Sequence, residues 1–454
     1  MENKDIINKY TVAVPRYTSY PTVPYWDEQS FTKDLWLNSV IESFKRTNEK
    51  DGISLYIHLP YCENLCTYCA CNKRITKNHQ VEIPYINAVV KEWKLYKSIF
   101  EGKPIIKEIH LGGGTPTFFD PQNLKKLIVE ILDGCEVHAN SDFSFEGHPG
   151  NTTEGHLQVL NSLGFRRVSF GIQDFDEKVQ VIINRKQTVE EVKNVTELAR
   201  ELGYTSINYD LVYGLPLQSL ASLVDTINEV INLKPDRIAF YSYAHVPWVK
   251  SGQRKFTEAD LPDSLTKQVL YETGRKLLLA AGYLEVGMDH FSLPSDSLLK
   301  AANDQKLHRN FMGYTHQYTE LLIGLGVSSI SDSWNAFAQN VKKEEDYLAL
   351  INEDEFPLIK GHILTDEDLV FRKHILNIMC KGETEWTVDD LKFPDFENSI
   401  ILLEELENDG LIIVHNQGFK VTAFGERFLR NICMVFDVRL RHKKPMQQIF
   451  SMVG

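Results

Sequence analysis

The sequence predicts an α/β fold built on parallel strands and followed by a smaller, mainly helical unit. Three observations carry this. Six short β-rich runs alternate with helix-periodic stretches in the first 250 residues. Polar and glycine residues gather at the C-terminal ends of those runs. From about residue 365 the rhythm changes to helix, helix, hairpin, helix.

The runs are "ISLYIHL" (53–59), "IIKEIHL" (105–111), "DFSFEG" (142–147), "RRVSFGI" (166–172), "TSINYDLVYG" (205–214) and "DRIAFYSY" (236–243). Between them, residues 81–100 and 188–204 show the clearest helical spacing, with apolar residues three and four apart. Such alternation calls for parallel strands joined by right-handed crossovers. Six units make either a partial barrel or an open doubly wound sheet. The cysteine-rich stretch "YCENLCTYCACN" (61–72) follows the first run, and "GGGTPT" (112–117) follows the second. Glu146 ends the third, Gln173 follows the fourth, Asp210 lies late in the fifth and "YAH" (243–245) closes the sixth. Parallel α/β folds place their active sites at C-terminal strand ends, so one site on one rim is expected.

Beyond residue 250 the pattern loosens. Residues 285–291, 307–315 and 321–331 mix glycine with polar residues and read as loops and short strands over a cavity. Residues 399–436 have the rhythm of a winged helix. The unit is acidic around "LEELENDG" (403–410) and shows no basic recognition face, so a structural or lid role is expected in place of DNA binding.

Composition narrows the class. The chain has 454 residues, 43% of them hydrophobic, enough for a large core and two or three domains or one barrel with an appendage. No stretch approaches the ~18–20 apolar residues of a membrane span, and the first residues contain no apolar signal core. Seven cysteines without an export signal predict reduced thiols and a cytoplasmic protein. A net charge of −13 argues against nucleic acid as a partner. An anionic substrate must then meet a local cluster of Arg and Lys.

The chemistry begins at Cys62, Cys66 and Cys69, spaced Cys-x3-Cys-x2-Cys, with Cys71 one residue further on. Structural zinc takes four ligands, commonly from two separated pairs. No second pair with suitable spacing is present, since Cys135, Cys380 and Cys433 are scattered. An iron–sulfur cube on three thiolates would leave one iron free for a small molecule. Glycines in "GGGTP" permit close approach of backbone to a polar ligand. Glu146, Gln173, Arg185 and Asp210 share the rim: carboxylates for ribose hydroxyls or amino groups, and a guanidinium for a carboxylate.

The cysteine loop preceded by "LYIHLPY", with Tyr68 before the third cysteine and a Gly-rich strand end, resembles the radical S-adenosylmethionine (SAM) superfamily. "PRYTSYPT" (15–22), Cys71 in "CACNK", "FGIQDF" (170–175), "YDLVYGLP" (209–216), "GMDHF" (287–291), "LHRNF" (307–311) and "RNICMVFD" (430–437) narrow it. Together they resemble the oxygen-independent coproporphyrinogen III oxidases of HemN type, from near residue 10 to the C-terminus.

The resemblance implies a partial (β/α)6 TIM-like radical SAM barrel with added strands. An N-terminal arm (1–50) would cover the active site of a catalytic domain (51–360), and a lid domain (361–454) with a β-hairpin would follow. It implies a [4Fe–4S] cluster on Cys62, Cys66 and Cys69 with SAM on the fourth iron. SAM cleavage gives a 5′-deoxyadenosyl radical that takes hydrogen from the β-carbon of a propionate. Loss of carbon dioxide and one electron leaves a vinyl group, on two propionates of coproporphyrinogen III. Tyr56, Gly113, Glu146 and Ile330 match positions around that SAM. Tyr68, Gly114, Thr115, Gln173, Arg185, Asp210 and Ala244 match positions of a second SAM. Cys71 matches a thiol needed for activity without binding iron. The implied partners are coproporphyrinogen III, a low-potential electron donor and an electron acceptor, for a chain expected to be a monomer.

Two departures stand out: "GHPGNTT" (147–153) after Glu146, and Met312 where relatives commonly carry Gln. Competing readings are a HemN-like haem chaperone and a radical methylase or haem-degrading enzyme. The chaperones typically lack both the fourth cysteine and the "PRYTSYPT" arm. Arg16, Arg254, Lys255 and Arg309 are candidate partners for substrate carboxylates.

Overall fold

A computed structural model describes residues 2–248, 250–443, 445 and 450. The outer ends of the expected arm and lid segments, residue 1 and residues 446–449 and 451–454, lie outside the described residues. All six runs form strands: β1 (Ile53–Leu59), β2 (Ile105–Gly113), β3 (Glu136–Gly147), β4 (Phe165–Gln173), β5 (Ser206–Tyr213) and β6 (Arg237–Ser242). Each pairs in parallel with the next. A doubly wound sheet reverses its strand order at a switch point. Here the order runs 1 to 6 without reversal. The sheet therefore curls one way, as the wall of a partial barrel.

Six more strands extend the wall: β7 (Leu284–Val286), β8 (His290–Ser292), β9 (Leu322–Leu325), β10 (Ile330–Asp332), β11 (Ala336–Asn340) and β12 (Leu358–Ile363). The sheet order is β12-β11-β10-β9-β1-β2-β3-β4-β5-β6-β8-β7. β1 and β6 do not meet, because β9 takes the free edge of β1 and β8 that of β6. The stretches read as loops and short strands over a cavity thus hold β7 to β10, which join the main sheet, β7 at its edge. They run three to five residues with glycine among them, too short for a period-2 pattern to show.

The crossover helices follow from their caps. Residues Glu82–Ser98 and Val189–Glu201 occupy the two stretches with the clearest helical spacing. The second starts at a capping box in which Thr188 and Glu191 satisfy each other's backbone N–H groups. Helix Lys33–Asp51 packs Trp36, Val40 and Phe44 into the barrel core. β3 begins six residues before the expected run. Its first half is exposed and polar, so only backbone pairing with β2 marks it as strand.

The C-terminal unit contains helix Asp366–Lys381, strand Glu383–Glu385, helix Pro394–Asn408, hairpin strands Ile412–His415 and Gly418–Val421, and helix Leu429–Met434. The short strand, missing from the expected rhythm, completes a three-stranded sheet. Tyr10, Val14, Tyr17 and Tyr20 share one core with Phe371, Phe396 and Phe436 of this unit and with Val286 and Tyr314 of the barrel. Arg430 donates to the carbonyl of Pro15 at 3.0 Å and to that of Val14. Tyr17 donates to Asp437 at 3.2 Å.

Candidate active site

The cysteine loop leaves β1 at Pro60 and is pinned on three sides. Tyr61–Cys62 pairs with Arg74–Ile75 and closes its neck. Thr67 N–H donates to the Ile183 carbonyl at 2.9 Å, and Asn184 Nδ2 to the Leu65 carbonyl at 2.8 Å. The end of β2 forms the third side. Gly114 N–H reaches the Leu59 carbonyl at 2.8 Å and Thr115 N–H that of Tyr61 at 2.9 Å. A Cβ on Gly114 would sit 2.6 Å from the Pro60 backbone. One on Gly113, where φ is +115°, would sit 2.7 Å from the His58 ring. These glycines let strand end and cysteine loop touch each other.

Cys62 Sγ lies 3.3 Å from Thr115 Oγ1, and Arg185 Nη1 lies 3.6 Å from Cys66 Sγ. The Cys71 thiol donates to Cys69, which holds Cys69 below the usual thiol range and Cys71 well above it. Arg185 is anchored by the Gly171 carbonyl at 2.5 Å.

All four thiols line one cavity of about 790 Å³ between the strand ends. Tyr68, Gly113, Gly114, Thr115, Glu146, Gln173, Arg185, Asp210 and Ala244 line it too. Pairing registers put them on one rim: Leu59 opposite Gly113, Gly147 opposite Phe170, Gln173 opposite Leu211 and Tyr213 opposite Ser242. Tyr56 and Ile330 are not in this wall. Tyr56 stacks on His110 one layer below and hydrogen-bonds His58 at 3.0 Å. Ile330 lies on β10, two strands from β1, packed near Trp26 and Phe337.

The electrostatics separate the two carboxylates. Burial would raise Glu146, but the His110 hydrogen bond at 3.4 Å and the Gly113 N–H at 3.2 Å outweigh it, so it stays below the usual range. Asp210 accepts from Ser169 at 3.0 Å and Asn208 at 2.9 Å. Burial, then the charge of Glu146, pushes it up to about 6. The rim so offers a committed anion, a titratable one and a guanidinium around one space. Those groups suit the amino, hydroxyl and carboxylate functions of a nucleoside-linked amino acid.

Sequence reasoning missed two residues here. His148, from the departing "GHPGNTT" segment, lines the cavity, and burial followed by Arg185 pushes it down to about 3. Gln253, 1% exposed, donates to the carbonyls of Tyr68 at 3.0 Å and Ala244 at 3.2 Å, tying the third thiol's loop to the end of β6. A glutamine in "SGQRKF" carries no signal of this. Of the expected carboxylate partners, Arg16 lines the cavity, Arg309 lies buried behind it, and Arg254 and Lys255 face solvent.

Among the described residues no three His, Cys, Asp or Glu side chains gather around one point as a single metal ion requires. A cube of four irons instead spreads its thiolates over separate corners. Three soft donors on one pinned loop, with open space beside them, fit that group.

A family model described as "Radical SAM superfamily" matches residues 56–230. The oxygen-independent coproporphyrinogen III oxidase of Escherichia coli K12 is 38% identical over 99% of this chain and 97% of its own length. The Pseudomonas aeruginosa protein of the same name is 38% identical over 95% of each chain. This chain belongs to the oxygen-independent coproporphyrinogen III oxidase family. The solved E. coli coproporphyrinogen III oxidase HemN, titled a radical SAM enzyme, superposes with a TM-score of 0.87 at 35% identity, covering 93% of this chain and 97% of that one. The likeness of this oxidase-family chain to HemN so takes in barrel, arm and C-terminal unit together.

Proposed function

We propose that the protein is a radical SAM oxidase that converts two propionate side chains of coproporphyrinogen III to vinyl groups, giving protoporphyrinogen IX. Each propionate loses a hydrogen from its β-carbon, carbon dioxide and one electron. Porphyrin and haem synthesis without oxygen is the setting. The observation that carries this reading is the shared cavity. Three thiols of one pinned loop and the polar rim line a single space in a chain alike to these oxidases end to end.

Cys62, Cys66 and Cys69 would hold the [4Fe–4S] cluster, leaving its fourth iron for SAM. Bound there, cluster and SAM supply a carbon radical able to take hydrogen from an unactivated C–H bond. The chain's own residues bind and exclude. Glu146 stays ionised and offers an acceptor beside Gly113. Arg185, Asp210, Gln173, Tyr68, Gly114, Thr115 and Ala244, which line the same cavity, would meet a second SAM. Arg185 also puts positive charge against Cys66. Cys71 is held beside Cys69 without being needed as a fourth ligand. Of the expected arm (1–50), the stretch ahead of helix Lys33–Asp51 brings Arg16 to the cavity wall, fastened by Arg430 of the C-terminal unit, and so helps keep water and other hydrogen donors away, while the helix itself packs on the barrel. An outside low-potential donor and a one-electron acceptor complete the balance.

The test is an anaerobic assay of reconstituted protein with SAM, a reductant and coproporphyrinogen III. Protoporphyrinogen IX with two methionines released per turnover is the expected result. Tight haem binding without decarboxylation would overturn the reading.

A further inference from the structure

A second hollow, about 120 Å³, lies between the N-terminal arm, the ends of β5 and β6, and the C-terminal unit. Arg16, Tyr213, Ser242, Tyr271, Asp289 and Arg430 are among its walls. Arg16 and Ser242 also line the large cavity, so the two spaces share a wall. Lys267 stands beside them. Its ammonium donates to the Tyr243 carbonyl at 2.9 Å, and its stem lies over Gly214, where a Cβ would meet it at 2.8 Å.

Arg16 and Arg430 line this hollow with one carboxylate, Asp289, which His290 already holds at 2.5 Å, and Lys267 lies within electrostatic reach of both arginines. Arg16 reaches Asp289 only at 3.5 Å. Arg427 is taken up by Glu272, and Arg309 donates to the Arg16 carbonyl at 3.3 and 3.2 Å. Among the described residues no carboxylate pairs with Lys267. Burial, then Arg16 and Arg430, pulls Lys267 down to about 8, and burial, then Arg16, pulls Arg430 down to about 10. Cations crowded in a partly dry space repel one another and gain most from an incoming anion. In a chain of net charge −13 this is a local exception.

The proposed substrate carries four propionates, two of which remain carboxylates in the product. Resting on that reading, we propose that Lys267 and Arg16 clasp a propionate carboxylate that the reaction leaves intact. Doing so holds the substrate against the wall shared with the cysteine-lined cavity. The two most distinctive segments then have a task. Arg430 of "RNICMVFD" fixes the carbonyls of Val14 and Pro15, and so presents Arg16 of "PRYTSYPT" at the shared wall.

The test uses the full-length reconstituted holoenzyme. Lys267→Met raises KM for coproporphyrinogen III roughly tenfold, the size of one charge-assisted contact, and leaves kcat within about twofold. Lys267→Arg recovers most of the loss. A fluorescence titration with oxidised coproporphyrin III reads the same site without turnover. There the variant binds the free acid about tenfold more weakly and the tetramethyl ester as the parent does. If Lys267→Met fails to take up its cluster, Arg16→Gln replaces it, with the same shifts expected. Unchanged KM and unchanged acid affinity would overturn the proposal. So would a rise in KM confined to SAM, whose carboxylate is the other candidate anion. A parent protein that binds coproporphyrin III without decarboxylating the porphyrinogen counts against the proposed function; the titration still decides the clasp.

Discussion

The two ends of the barrel are both polar, and they are polar in opposite ways. At the N-terminal ends of the strands, Arg237 donates to Asp296 at 2.6 Å, Arg167 meets Asp142 at 3.1 Å, His316 meets Asp142 at 3.5 Å, and Glu108 accepts from Ser54 at 3.0 Å. Asp296 also caps Leu298 N–H at 2.7 Å and accepts from Ser206 at 2.8 Å. Charge answers charge at Asp142 and Asp296; Glu108, Asp142, Arg237 and Asp296 are buried, and Arg167 and His316 half-buried. At the C-terminal ends, Glu146, Asp210, Arg185 and the thiols face an open space of about 790 Å³. A buried ion pair that completes itself plugs a barrel. Polar groups aimed at space await a ligand.

Substitutions at the two ends should therefore fail differently. The largest effect is expected from Cys62→Ala, which removes cluster absorbance and turnover together while the fold persists in far-UV circular dichroism. Cys71→Ala sharpens the point: absorbance stays and turnover falls. Loss of the cluster there would make Cys71 a ligand. Next comes Arg237→Met at the closed end. It leaves Asp296 buried without its cation and costs about 3–5 kcal/mol in denaturant unfolding, with the spectrum of the folded fraction unchanged. A neutral result would mean that the plug is dispensable. Asp210→Asn should barely touch stability and should lower kcat/KM for SAM several-fold. Since Asp210 is raised to about 6, the parent's kcat/KM for SAM falls as pH drops through that value, and the variant's does not. The smallest effect belongs to neither end. Thr188→Ala loses a capping box on a crossover helix, about 1 kcal/mol of stability, with kinetics unchanged.

The same contrast explains what could be read from the sequence. The six parallel strands were legible because strands covered on both faces are apolar runs, and the rim was legible because polar residues interrupt those runs at one end. The exposed start of β3 carries no such pattern, and the strands β7 to β11, three to five residues each, are too short to show one. The thiols were legible from spacing, being local. Gln253, which joins the carbonyls of Tyr68 and Ala244, was not, because its partners are 185 and nine residues away and any glutamine offers the same groups. The plug was equally hidden: Arg167 and Asp142 look like surface charges until the register brings them together. Tyr56 and Ile330 entered by resemblance alone, and the cavity wall does not include them.

The arm's anchors also set an order of assembly. Tyr10, Val14, Pro15 and Tyr17 are synthesised about four hundred residues before their partners Asp409, Arg430, Asn431 and Asp437. The strands, the cysteine loop and the polar rim all lie between. A nascent chain folding from its N-terminal side completes the cavity while its roof has nothing to fasten to. A cluster on Cys62, Cys66 and Cys69 would thus have an interval in which to load before Arg430 and Asp437 fasten the arm.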